Sequence, residues 1–129
     1  MKAVGQIFGH AAALGCALGL AACKQPPASR YTFDAGLRDK GRDVIERAGC
    51  AACHEIPGID WPEGRTGPSL AGFDGVGPIA GYLPNTPANL ARFVRNAPAT
   101  KPGSTMPAMP ISSEEAHAVA AYLYGIDDD

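Results

Sequence analysis

The chain is short of several things that would direct it to other functions. It has no block of lysine and arginine: 11 basic residues stand against 13 acidic ones over 129 residues, a formal charge of −2. The electrostatic footprint of a nucleic-acid-binding surface is therefore missing. No stretch sustains an apolar/polar alternation, so a sheet domain is not expected. The three histidines, His10, His54 and His117, are scattered. They do not complete, with the cysteines, the four-ligand set of a structural zinc site. The apolar stretch at residues 1–23 is broken by Gln6 and His10 and is rich in glycine, which makes a poor spanning helix. No internal repeat is visible, and the length admits one domain.

The N-terminus reads as an export signal. Lys2 precedes a stretch of Ala, Leu and Gly that ends in small residues. Leu20-Ala21-Ala22-Cys23 resembles the lipobox of bacterial lipoproteins, with Cys16 a weaker candidate. Residues 1–22 are thus expected to be removed as a signal peptide and Cys23 to be acylated. An ordinary cleavage site that leaves Cys23 unmodified is the alternative. Residues 23–34, with Pro26-Pro27, read as an extended, lipid-anchored tether reaching about 30 Å. Residues 35–129 are then the domain. This arrangement implies the periplasmic side of a bacterial membrane, or the soluble periplasm if Cys23 carries no lipid. Only Cys50 and Cys53 would remain in the domain, so no disulfide framework staples it.

Three segments carry helical periodicity. Residues 35–48 repeat Leu37, Gly41, Val44, Ile45 and Ala48 at three- and four-residue steps, with Asp34 as a cap and Gly49 at the end. Gly41 costs about 1 kcal/mol in mid-helix against alanine, which a close helix crossing would justify. Residues 86–96 open with Thr86-Pro87 and bear Leu90, Phe93 and Val94. Residues 113–125 follow a Ser112/Glu115 capping box and bear Ala116, Val119, Ala120 and Leu123. Residues 55–84 and 97–111 are rich in glycine and proline and read as loops. Three short helices with few large apolar residues make a thin core. Long loops in a compact domain need a surface to fold around, and a bulky cofactor would provide one.

Cys50-Ala51-Ala52-Cys53-His54 names that cofactor. A redox CxxC wants a strand before it and a helix beginning at it, whereas here a helix ends at the motif. A zinc site lacks its remaining ligands. C-x-x-C-H is the attachment pattern of a c-type haem. Two thiols add to the two vinyl groups on one porphyrin edge, and the adjacent imidazole reaches the iron.

With these residues the sequence resembles the class I c-type cytochromes over roughly residues 36–126. It is similar to the monohaem domains associated with terminal oxidases. Gly67-Pro68-Ser69-Leu70 looks like the segment whose proline flanks the proximal histidine. Pro102-Gly103-Ser104-Thr105-Met106-Pro107 looks like the loop bearing the distal methionine, with Met109 as the alternative ligand. Ala121-Tyr122-Leu123 resembles the end of the C-terminal helix, and the family's crossing of a glycine and an aromatic falls on Gly41 and Tyr122.

The resemblance implies a small all-α, cytochrome c-like fold of three main helices and loops around one covalent haem c and its iron. Cys50 and Cys53 form the thioethers, His54 is the proximal ligand and Met106 the distal one. It implies single-electron transfer without substrate turnover. The redox partners would be an oxidase, a dehydrogenase or a cytochrome complex, met by a monomer held to the membrane by its lipid. A dedicated haem subunit of such a complex, or an open-site haem protein for gas or peroxide, are the alternatives. Trp61, Tyr82 and Phe93 are candidates to pack on the haem or reach a propionate, and Arg65 to pair with one. His117, on a helix beside acids, is expected to face solvent.

Overall fold

The computed structural model describes residues 30–126. The signal segment, Cys16, Cys23, the tether up to residue 29 and Asp127–Asp129 lie outside the described residues. The Asp34 carboxylate accepts the Leu37 N–H at 2.9 Å and starts α1, Ala35–Ala48. Gly49 ends it at φ 72°, its N–H reaching the Ile45 and Glu46 carbonyls. A 3₁₀ turn at Cys50–Ala52 follows directly. The Thr86 hydroxyl accepts the Asn89 N–H and Pro87 opens α2, Pro87–Arg95.

The segment after α2 departs from the loop expected there. It begins with a short helix, α3, Ala97–Thr100. The Asn96 side chain caps it by accepting the Ala99 N–H at 3.1 Å. Pro98 breaks a helix interior but is tolerated in a first turn, so its presence hid a one-turn helix. The last helix, α4, Ser113–Gly125, carries the expected capping box. Ser112 Oγ accepts the Glu115 N–H at 3.1 Å, and the Glu115 carboxylate accepts the Ser112 N–H at 2.7 Å.

Small side chains on α4 decide how the helices meet. Ala116, Ala118, Ala120 and Ala121 are fully buried, and α1 and α2 both pack on α4. A Cβ on Gly41 would lie 2.0 Å from the Ala118 carbonyl oxygen and 2.9 Å from Tyr122 Cβ. The crossing expected at Gly41 and Tyr122 is therefore present, and only glycine permits it. Tyr122 also donates to the Pro57 carbonyl at 2.7 Å. Arg47 on α1 meets Glu115 on α4 at 2.6 Å.

The loop before α2 is pinned to α4 from another side. Buried Tyr124 meets Tyr31 and Phe73 edge-on, at 5.0 and 5.5 Å between ring centres. Its hydroxyl donates to the Asn85 side-chain oxygen. Asn85 in turn donates to the Phe73 and Val76 carbonyls at 3.0 and 3.1 Å. Burial pushes the Tyr124 phenol well above its usual range, so it stays a neutral donor. Among the described residues, β-pairing is limited to isolated bridges, Ile56 with Ile59 and Ile79 with Leu83. Also among them, no helix is long and apolar enough to cross a membrane. The domain is all-α.

Candidate functional site

The helices and loops enclose an apolar cavity of about 370 Å³. Ile45 of α1, Leu90, Phe93 and Val94 of α2, and Val119 and Leu123 of α4 form its helical walls. The loops bring Cys50, His54, Pro68 and Met106 to the same cavity. Residues far apart in the chain thus converge as the motifs suggested. Cys53 is exposed beside it, and Met109, half-buried, does not line it.

The wall bearing His54 is built from backbone. The Nδ1–H of His54 donates to the Pro68 carbonyl at 2.8 Å. A carbonyl only accepts, so this bond sets the tautomer and leaves the lone pair on Nε2. Three main-chain bonds hold the segment around it. The Gly64, Gly67 and Leu70 N–H groups donate to the Ala51, Cys53 and Glu55 carbonyls at 2.8, 2.7 and 2.9 Å. Gly67 lies against the imidazole so closely that a Cβ would fall 2.5 Å from Cε1. Burial pushes the half-buried Cys50 thiol up in pKa.

The wall bearing Met106 relies mostly on side chains, beside one main-chain bond from the Ser104 N–H to the Lys101 carbonyl at 3.0 Å. Ser104 Oγ accepts the Met106 N–H at 3.2 Å. Lys101 Nζ donates to the Ala80 carbonyl at 2.8 Å, and the Tyr82 hydroxyl donates to the Thr100 carbonyl. Both bonds tie the methionine loop to the Ile79–Leu83 turn, where the Ile79 and Leu83 N–H groups bond reciprocally at 2.8 and 3.0 Å. Ala80 sits there at φ 52°, a conformation costly for a non-glycine residue. Sequence reasoning missed Ser104, although a serine two residues before a candidate ligand is a known spacing for local side-chain-to-backbone bonding. It also missed Lys101, for which no local signal exists because its partner is remote in sequence.

The remaining candidates divide. Phe93 lines the cavity. Trp61 and Tyr82 do not; they are 86% and 50% exposed. The Trp61 ring faces outward, and the Tyr82 hydroxyl donates to the Thr100 carbonyl. Arg65 is exposed and lies 3.7 Å from Glu63. His117 is exposed, its Nδ1 donating to the Ser113 carbonyl at 2.7 Å.

Among the described residues no cluster of three or more His, Cys, Asp or Glu could hold a metal by itself. The donors at the cavity are instead one imidazole, one thioether and a thiol, with a second thiol at its rim. That set, inside apolar walls, fits a flat apolar macrocycle carrying its own iron. Together with the all-α fold it defines the class of c-type cytochromes. A family model described as "Cytochrome C oxidase, cbb3-type, subunit III" matches residues 37–123, and the chain belongs to this cytochrome c family. The family implies a haem with its iron.

Relatives point the same way. "Cytochrome c oxidase subunit 2" of Alkalihalophilus pseudofirmus strain OF4 is 38% identical over 88 residues, covering 67% of this chain and 25% of that protein. The protein of the same name from Bacillus sp. strain PS3 is 28% identical, covering 97% of this chain and 40% of its own length. That of Bacillus subtilis strain 168 is 26% identical over 101 residues, 28% of its length. The chain therefore spans between a quarter and two fifths of these curated relatives.

Proposed function

We propose that the domain holds one haem c covalently and serves as a single-electron carrier in a membrane-associated respiratory chain. The observation that carries this reading is the convergence of Cys50, His54, Pro68 and Met106 on one apolar cavity, with His54 Nε2 left as the free ring nitrogen. Cys50 and Cys53 would form the thioethers, His54 the proximal bond and Met106 the distal one. The bound haem supplies one-electron iron chemistry. The Pro68 carbonyl orients the His54 ring. Met106 would hold the metal from the loop side, and its soft thioether would favour the reduced state and electron transfer over substrate turnover. The apolar walls keep water from the cavity and so strengthen the electrostatics within it.

In this reading residues 1–22 are a removed signal and Cys23 carries the lipid. Residues 23–34 then tether a monomeric domain at the periplasmic side of the membrane. An oxidase, dehydrogenase or cytochrome complex is the electron partner. The names of the relatives favour a second reading, in which the chain is the dedicated haem subunit of an oxidase. Stable co-purification with oxidase subunits would select it.

The testing experiment is a visible spectrum of the protein matured with haem, reduced, with and without carbon monoxide. A thioether-type haem spectrum unchanged by carbon monoxide is expected. A clear shift would overturn the closed sixth position and move the protein to gas or peroxide chemistry, and absence of haem would overturn the reading entirely.

A further inference from the structure

Helix α2 has two faces. Leu90, Phe93 and Val94 turn to the cavity, whereas Ala88, Ala91, Arg92 and Arg95 line a separate groove closed by α3 and the start of α4. The groove has a volume of about 730 Å³ and shares no lining residue with the cavity. Its floor is apolar, with Leu83 and Ala91 buried. Its ionisable lining groups are Arg92, Arg95, His117 and Tyr82, and no carboxylate lines it.

The neutral polar groups around the groove are already engaged within the fold. Asn96 caps α3 through its side-chain oxygen, and Tyr82 donates to Thr100. Arg92 reaches only the neutral Asn89 oxygen, at 3.2 Å. Among the described residues neither Arg92 nor Arg95 forms an ion pair, whereas Arg42, Arg47 and Arg65 each meet a glutamate. The nearby Glu114, in the first turn of α4, interacts with Lys40 and His117 and does not line the groove. The chain as a whole is acidic, so this concentration of positive charge over an apolar floor is a local exception.

We infer that this groove is a docking surface for an acidic protein segment, carboxylates meeting Arg92 and Arg95 and an apolar side chain resting on the exposed Ala88 and Ala99. Contact with these alanines adds a little area, and the two guanidiniums provide orientation and a bidentate match to carboxylates. The site stands independently of the haem reading. Its consequence for function is that occupying the groove bears on Tyr82 and Thr100, the tie that leads into the Met106 loop.

The test uses the full haem-loaded protein, isotopically labelled, titrated with a short synthetic peptide of alternating glutamate and leucine. Amide shifts at Ala91, Ala99 and His117 and side-chain shifts at Arg92 and Arg95 are expected, with binding that weakens as salt rises. The double variant Arg92→Gln/Arg95→Gln should bind about tenfold more weakly, the summed worth of two exposed ion pairs. Its visible spectrum should be unchanged, which separates this test from the haem reading. Arg95→Gln alone gives a milder variant in which a partial loss is expected. Undiminished peptide binding in these variants would falsify the proposal. So would inorganic pyrophosphate reproducing the same shifts at the same concentration, which would make the groove a simple anion site. A response to anionic phospholipid vesicles without one to the peptide would overturn it in favour of a membrane surface.

Discussion

The two walls of the cavity that carry His54 and Met106 are held by different means. Around His54 the restraint is main chain to main chain: three N–H···O=C bonds, the Pro68 carbonyl on the imidazole, and Gly67 pressed against the ring. Around Met106 a single main-chain bond, the Ser104 N–H to the Lys101 carbonyl at 3.0 Å, is joined by bonds through Ser104, Lys101 and Tyr82, side chains that must each be ordered to make them. Backbone-held geometry survives most substitutions outside its glycines. Side-chain-held geometry can be loosened one residue at a time. The histidine side is therefore the preorganised one, and the methionine side is where mobility is tolerated.

The sharpest way to break this comparison is to delete each candidate ligand. His54→Ala should abolish stable haem incorporation, whereas Met106→Ala should keep the haem and make the reduced protein bind carbon monoxide. Six-coordination retained in the Met106 variant would return the ligand role to Met109. Next in size is Gly67→Ala. Its new Cβ would meet the imidazole at 2.5 Å, and forcing the ring aside should cost about 1–3 kcal/mol by chemical denaturation, with a shifted reduction potential. An unchanged potential would mean that the ring position is not set by this wall.

A smaller effect is expected from Tyr82→Phe, which removes one bond from the Met106 wall at about 1 kcal/mol. The carbon-monoxide-reactive fraction of the reduced protein should rise about fivefold. Hydrogen exchange should quicken at Ser104 and Met106 while Gly64, Gly67 and Leu70 stay slow. Equal quickening at both sets would show that the walls are coupled rather than distinct.

The smallest effect serves as a control on α4, which both walls share. The Glu115 carboxyl is held below the usual carboxylate range, first by the Ser112 N–H and then by Arg47. Its pKa is thus lower folded than unfolded. The stability it contributes is present above the unfolded value and is lost as the pH falls through the folded one. Melting temperatures of wild type and Glu115→Gln should differ at neutral pH and converge in acid, with identical haem spectra throughout.

Much of this was legible before any coordinates. Asp34, Gly49, Thr86, Pro87 and the Ser112/Glu115 box set helix boundaries through bonds to residues three or four positions away. Local signals of that kind are written locally. Gly41 was readable for a different reason: a residue that harms its own helix implies a neighbour that needs the space. The cysteine spacing was readable because C-x-x-C-H is the pattern that attachment of a c-type haem would require. The α3 turn was not, since Pro98 forbids a helix interior but permits a helix start.

By itself the sequence determined the three long helices through contacts within a turn, and it pointed to the cofactor class through cysteine spacing and to the crossing at Gly41 through a residue that harms its own helix. The tertiary structure alone decided that Phe93 rather than Trp61 lines the cavity, and it brought Met106, which its Pro-Gly-Ser-Thr-Met-Pro setting already favoured over Met109, to that cavity. It also decided that Tyr82 and Lys101 tie the methionine loop. These depend on how segments with no local code for one another are brought together. The physical reason is that a loop's position is set by the surfaces that bury it and by the remote carbonyls its side chains happen to reach.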